Sequence, residues 1–544
     1  MKTCPTCARV YANDALRFCR HDGAPLAAAP EDETRLLYAE DATGAPQQTG
    51  GLSDELAAHA AATSSSLTAP MPAQRRRAAR RRAIDSLAVL PFTNEGGEAT
   101  TGYLSDGITE GIINSLSQLP RLRVLPRSTV FRHRAASADP LGVGRQLGVR
   151  AVLTGRVAEV GGWLVIRAEL IDVREESQLW GEQYRREPAD IFALQEEISR
   201  DISEKLRLKL TGDERLRLSK RYTENTDAYR AYLQGRHYVT SKRTADWIRK
   251  GIDCFQRAID LDPNYALAYS GLAEAHGLLA SSTGEQPPRD EYPKAQAAAR
   301  KALALDPSLA EAHTALGFSL LLYDYDLDGA RRAFRRAVRL NPNHPNAHDG
   351  LAFYYNATSQ AEKSVAECEE SRRLDPLSPF PEVNLGWAHY FARRYDAAAA
   401  QGRKALEMDA RFAFAHWIIG LALAQSGDAA GAVESFERGV ETSGGGLTFR
   451  AHLAYAYARA GRETEARRAL AELEKTARRR YVSAYYFAVA RLGLNERDAA
   501  LERLERALEE RAGFLAFLPV EPVFDALRDD ARFRQLVERV GVKG

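Results

Sequence analysis

The chain has 544 residues, of which 45% are hydrophobic and 27% charged, and its formal net charge is +2. This is an ordinary soluble composition with room for several buried cores, and its near-neutrality excludes nucleic-acid binding by overall charge, so any basic effect is local. No run of 18 or more apolar residues is long enough to span a bilayer, and the first residues lack the apolar core of a signal peptide, so a cytoplasmic location is expected.

Residues 1–26 contain "CPTCARVYANDALRFCRHDG", positions 4 to 23. Cys4 and Cys7 have the C-x2-C spacing that presents two thiolates to one zinc ion from a tight turn. Cys19 is followed three residues later by Asp22, with His21 one position earlier, and both of those side chains can ligate zinc. The other two cysteines, Cys254 and Cys368, stand alone on helical patterns, which points to a metal site and two packed thiols rather than a disulfide framework. With CPxC, Tyr11, Phe18, FCxxDG and Leu26, the stretch resembles small bacterial zinc-ribbon modules. The resemblance puts Asp22 in the place of the fourth cysteine, with His21 the chemically softer alternative, and implies a structural zinc.

Residues 27–83 are rich in Ala, Pro, Ser, Thr and Gln and read as a disordered linker. It ends in "RRRAARRR", Arg75 to Arg82, six arginines in eight residues that could meet phosphates.

Residues 84–212 alternate short strands with helices. "SLAVLPF" reads as an apolar strand, "DGITEGIINSLSQL" as a helix with a stripe through Ile108, Ile112, Ile113 and Leu116, and "LRVLPR" as a second strand. "AVLTGRVAEV" and "WLVIRAELIDV", separated by Gly161 and Gly162, form an expected hairpin. "SQLWGEQY" follows as a strand and "DIFALQEEISRDISEKLRLKL" as an amphipathic helix, which together make a small α/β domain. "GVGRQLG", Gly142 to Gly148, lacks the G-x-G-x-x-G spacing and a preceding strand, so it is no dinucleotide loop. Asp106 and Glu110, four apart near a helix start, could suggest paired carboxylates, but an aspartate there is better explained as a cap or a partner of the helix dipole. The run from "SLAVLPFTNEGG" through "LIDVREESQLWGEQYRRE" resembles the TolB-like N-terminal domain of bacterial signalling proteins. The resemblance implies a regulatory or assembly role behind a variable N-terminal effector, with no ligand assigned to the domain.

Residues 226–512 are Ala-rich and helical, punctuated by "LDPN" at Pro263, "LDPS" at Pro307, "LNPN" at Pro342 and "LDPL" at Pro376. The last two intervals are 35 and 34 residues, and the longer first one holds the insertion "SSTGEQPPRDEYP". A 34-residue period with a breaker after each second helix is the tetratricopeptide-repeat signature, so about eight helix pairs stacked into a solenoid are expected. Resemblance to this repeat family places Asn346, Asn356, Phe380, Trp387, Tyr390, Phe414, Trp417 and Tyr455 on the inner groove, where Asn can bond a peptide backbone and aromatics supply rigid apolar area. His313, His348 and His416 share the fourth position of their units and are assigned to packing. Residues 513–544 depart from the period and are expected to cap the last hydrophobic face.

The fold expected is therefore a zinc ribbon, a TolB-like α/β domain and an all-α tetratricopeptide solenoid. The function expected is a non-catalytic scaffold or regulator that binds a protein or peptide partner in the solenoid groove. The alternative is a nucleic-acid-associated regulator using the ribbon and Arg75 to Arg82. No serine, cysteine or lysine sits in a recognisable nucleophile motif, so no enzyme activity is expected.

Overall fold

The structure, a computed structural model, describes residues 2–3, 10–11, 27–28, 84–95, 102–136, 139–187 and 191–541, the last stretch with breaks at 207, 209, 213, 215–219, 221, 242–243 and 282–285. The chain divides into two compact units, Met1–Ala83 and Ile84–Gly544. In the first, β1 (Lys2–Thr3) pairs antiparallel with β2 (Val10–Tyr11) on one side and β3 (Ala27–Ala28) on the other. Cys4, Cys7, Cys19, His21, Asp22 and the Arg75–Arg82 cluster lie outside the described residues.

The second unit begins with a mixed sheet. Its elements are β4 (Ser86–Val89), β5 (Thr93–Asn94), α1 (Gly102–Ser117), β6 (Arg123–Val124), α2 (Arg127–Val130), α3 (Pro140–Leu147), β7 (Ala151–Val160), β8 (Trp163–Asp172), β9 (Ser177–Arg186) and α4 (Ile191–Lys205). The strand order is β6-β4-β7-β8-β9, with β5 also beside β7. The pairs of β4 with β6 and β7 are parallel, and β7, β8 and β9 run antiparallel. Burial follows the sequence pattern: all four residues of β4 are buried, as in a strand covered on both faces, whereas β8 alternates buried and exposed. Gly161 and Gly162, at φ +59° and +78°, form the two-residue turn between β7 and β8, a left-handed pair that glycine adopts without strain. "GVGRQLG" is the body of α3, capped by Asp139, whose side chain accepts a hydrogen bond from the Gly142 amide at 2.9 Å.

Sixteen helices follow among the described residues, in eight consecutive pairs. They are α5 (Thr226–Ser241) with α6 (Ala245–Leu261), α7 (Ala266–Ser281) with α8 (Pro288–Leu305), α9 (Ala310–Ser319) with α10 (Leu327–Leu340), and α11 (Pro345–Ala357) with α12 (Ala361–Leu374). The second half has α13 (Phe380–Phe391) with α14 (Tyr395–Met408), α15 (Ala413–Ser426) with α16 (Ala429–Thr442), α17 (Leu447–Arg459) with α18 (Glu463–Ala477), and α19 (Ala484–Gly493) with α20 (Arg497–Glu509).

Two local devices set this repeat. The Asp or Asn before three of the breaker prolines ends its helix and accepts the amide two residues on, Asp262 from Asn264, Asp306 from Ser308 and Asn341 from Asn343, each at 3.0 Å. The second device is a phenylalanine of one helix seated between glycines of its neighbours. The Phe334 ring of α10 lies against Gly317 of α9 and Gly350 of α11, and a Cβ at Gly317 would come within 2.6 Å of it. The three histidines brace the same turns: the His313 and His348 rings meet the carbonyls of Pro307 and Pro342 at 3.1 Å, and His416 bonds that of Ala410.

The segment after α20 is not helical throughout. It forms two 3-10 turns, Gly513–Phe517 and Pro522–Leu527, and only then α21 (Ala531–Val540), which packs on α20. Pro519 and Pro522 keep the first part from forming an α-helix.

Helix propensity alone favours Ala over Gly by about 1 kcal/mol, yet forcing a methyl against a fully buried ring costs about 1–3 kcal/mol. Gly317→Ala is therefore expected to lower stability by up to about 2 kcal/mol in urea unfolding; a gain would show that the ring has room to move.

Candidate partner-binding groove

The inner face of the solenoid is occupied by the chain's own residues 512–527. Phe514 stacks on Tyr485 at 5.4 Å between ring centroids and meets Trp417 edge-on at 5.5 Å. Phe517 stacks on Phe391 at 5.3 Å and contacts Phe353 at 5.8 Å, and Phe524 contacts Tyr485 at 5.6 Å. Main-chain carbonyls of the segment are bonded as a bound peptide's would be: the Tyr325 hydroxyl donates to Ala512 O at 3.0 Å, and Arg393 donates to Val520 O at 2.7 Å. Two further bonds join the end of α20 to the third pair and its neighbour, Arg511 to Tyr323 O at 3.2 Å and Arg289 to Glu509 O at 2.8 Å. The last helix pair is thereby tied to the second and third across about 200 residues of chain.

Glu521 is the polar centre of this contact. It accepts hydrogen bonds from the Tyr390 hydroxyl at 2.5 Å and the Val523 amide at 3.2 Å, and is almost fully buried. Burial pushes its carboxyl up to about 7, against the pull of the two hydrogen bonds and Arg393.

The sequence-derived groove positions separate into three groups. Trp387, Tyr390, Trp417 and Tyr455 are buried in the core that includes the segment, with Trp387 and Trp417 edge-to-face at 4.8 Å. Phe380 and Phe414 are half-buried and cluster with Phe412 and Phe449. Asn346 is exposed at the start of α11, and Asn356 is buried at its end, its Oδ1 lacking a hydrogen-bond partner among the described residues. The sequence reading missed Phe353, Phe391, Arg393 and Tyr485 on the solenoid, and the segment that covers them. A signal was present in "FLAFLPVEPVF", which is too uniformly apolar for a cap with one face in water.

A second polar cluster joins the α/β domain to the solenoid. Glu110 pairs with Arg127 and Arg236, each at 3.0 Å, and Arg236 also pairs with Glu274 at 2.6 Å. Burial works to raise the Glu110 carboxyl, but the guanidinium groups of Arg236 and Arg127 outweigh it and hold the group below the usual range. The capping role expected for Asp106 is corrected: it lies inside α1 and pairs with Arg127 at 3.7 Å and with Arg134, while Glu110 sits in the middle of the same helix. Behind this cluster, Gln195 of α4 and Tyr229 of α5 both donate to Gly107 O at 3.2 Å.

The repeat turns form a ledge for the same docking. Asn343 donates to Ser117 O at 2.9 Å and Leu122 O at 3.0 Å, at the carbonyl end of α1, and Asn341 reaches the Ser117 hydroxyl at 3.3 Å. Asp375 accepts from Ser128 at 2.6 Å and from Thr129, while Lys220 pairs with Asp306 at 2.6 Å. The third turn reads LNPN where its neighbours have LDP, and an amide, unlike a carboxylate, can donate to carbonyls. One apolar core runs through both parts, from Leu87 and Ile112 to Tyr232 and Phe255.

The fold defines a tetratricopeptide-repeat solenoid with a mixed-sheet α/β domain locked to its first turns. Residues 83–201 match the family described as HilA/YgeH-like transcriptional regulator, second domain, and residues 383–446 match the tetratricopeptide-repeat family. The protein named "Putative adenylate cyclase 3" of Rhizobium meliloti (strain 1021) is 33% identical over 237 residues, 43% of this chain, and the match spans 40% of that protein's length. Among solved structures, Pseudomonas aeruginosa pilF is 17% identical, covering 40% of this chain and 92% of its own with a TM-score of 0.31. A tetratricopeptide-repeat protein from Parabacteroides merdae ATCC 43184 is 14% identical over 47% of this chain and 94% of its own, with a TM-score of 0.33. Among the described residues no helix is long and apolar enough to cross a membrane, and no group of three or more His, Cys, Asp or Glu is placed to hold a metal ion.

The unfolded Glu521 carboxyl titrates near 4.5 and the native one near 7, so the folded state binds more protons in between and loses stability as pH rises through that window. Glu521→Gln is expected to flatten this dependence and to gain about 3 kcal/mol over the wild type at pH 8, but little at pH 4. Urea unfolding at both pH values checks it; equal gains at both would place the carboxyl's titration elsewhere.

Proposed function

We propose that this chain is a non-catalytic scaffold or regulator whose solenoid holds a protein or peptide partner on its inner face. The observation that carries the reading is the resident segment 512–527, held by aromatic stacking and by side-chain bonds to its main-chain carbonyls, the two means by which a groove grips an extended peptide. A partner entering this face replaces that segment, and so offers two aromatic residues three apart followed by a carboxylic acid. The buried charged groups Glu110, Arg236 and Glu521 are engaged in holding parts of the chain together, which supports a structural over a catalytic role.

In this reading the α/β domain, TolB-like by its sequence, contributes to assembling a signalling complex. Its match to a domain of transcriptional regulators and the chain's likeness to a protein named as a cyclase support a module that serves different effectors. Residues 1–26 would be a second contact module, with Cys4, Cys7, Cys19 and either Asp22 or His21 around a structural zinc. A nucleic-acid-associated regulator is the second reading, favoured by the description of the family matched at residues 83–201. It requires retention on DNA that falls steeply with salt, and no retention at low salt removes it.

The groove reading is tested with a labelled peptide of residues 511–528 offered to the full chain and to its Phe514→Ala/Phe517→Ala variant. The wild type is expected to ignore the peptide and the loosened variant to bind it at least tenfold more tightly. A variant that stays folded and takes up no peptide would sink the reading.

A further inference from the structure

The outer surface of α10 carries a feature that neither the groove nor the interdomain contact uses. Its sequence, LDGARRAFRRAVRL, holds Arg331, Arg332, Arg335, Arg336 and Arg339 against one acid, Asp328. At about 100° per residue the five arginines fall within an arc of roughly 140°, while Ala330, Ala333, Phe334, Ala337 and Leu340 fill the opposite, buried side. With His313 of α9, the arginines line a depression of about 490 Å³ that has no acidic side chain in its wall.

Several exposed arginines elsewhere on the solenoid are answered by an acid three or four residues away, as in Arg249–Asp246, Arg372–Glu369, Arg438–Glu441 and Arg467–Glu463, and what sets α10 apart is five arginines on one face of one helix. On α10 Arg331 has Asp328 at 3.1 Å, whereas Arg332, Arg336 and Arg339 have no ion pair among the described residues. The spacing instead sets like charges beside one another at i,i+4 (Arg331/Arg335, Arg332/Arg336, Arg335/Arg339), an arrangement that destabilises a helix. Arg331 is answered by Asp328 and Arg335 bonds Tyr355, but the charges of Arg332, Arg336 and Arg339 go uncompensated among the described residues, which marks a site where an external anion supplies the compensation. Guanidinium forks grip phosphate oxygens bidentately, and successive arginines at i,i+4 rise about 6 Å along the helix, so they present forks to several groups in a row.

We propose that the arginine face of α10, with His313 at its edge, binds an oligophosphate, an anion carrying two or more linked phosphates. The phosphates come either from a free polyphosphate compound or from the backbone of a nucleic acid, and the two sources share this chemistry.

The test is calorimetric titration of the full chain with inorganic tripolyphosphate, with monophosphate and with a single-stranded oligonucleotide. Tripolyphosphate is expected to bind at least tenfold more tightly than monophosphate, and Arg332→Ala/Arg336→Ala/Arg339→Ala to weaken it at least tenfold. Those side chains are exposed, so the variant should fold, and relief of repulsion should leave its Tm without ligand equal to or above the wild type's. Alanine at Arg75, Arg76 and Arg77 removes the same charge from the linker and serves as the control. Oligonucleotide binding lost in the α10 variant and kept in the control assigns the nucleic-acid source; tripolyphosphate binding alone assigns the free one. No tripolyphosphate binding, or equal losses in the α10 and control variants, overturns the proposal.

Discussion

Residues 512–527 lie inside the solenoid they belong to, and the shape of the second unit depends on that burial. A stack of helix pairs contacts only its neighbours, so its inner face has no partner unless something else supplies one. Here Phe514, Phe517 and Phe524 reach side chains from the fourth, fifth, sixth and eighth pairs, and Tyr325 adds the connection between the two helices of the third. An open, one-dimensional array becomes a closed body in which distant repeats share one core.

The α/β domain is fastened by a different balance of forces. Burying Glu110 is costly in itself, and two guanidinium groups from different parts of the unit offset that cost. Such a cluster punishes any arrangement that separates its members, because each would leave a charge buried and unpaired. The turn residues Asn341, Asn343 and Asp375 extend the attachment along the repeats, so the punctuation that ends each helix also serves as a docking ledge.

Much of this was legible in the sequence wherever one local cause decides the outcome. The breaker prolines gave the period, Gly161 and Gly162 the hairpin, and the apolar run of "SLAVLPF" a strand. What covers an apolar face was not legible, because periodicity reports that a face is buried and not what buries it. Trp387, Tyr390, Trp417 and Tyr455 therefore read as groove-lining, and "FLAFLPVEPVF" as a cap, although they meet. The role of Glu110 was not legible for a related reason: its two arginines lie 17 and 126 residues away, and only the fold brings them to it.

The central claim is that the C-terminal segment is part of the solenoid's core. Hydrogen exchange on the full chain tests it at the amides of Leu515, Leu518, Val520, Glu521 and Phe524, which bond within the segment. These amides should exchange as slowly as those in the middle of α13 and α15 and open together with them. Exchange of the segment well ahead of those helices would contradict the account.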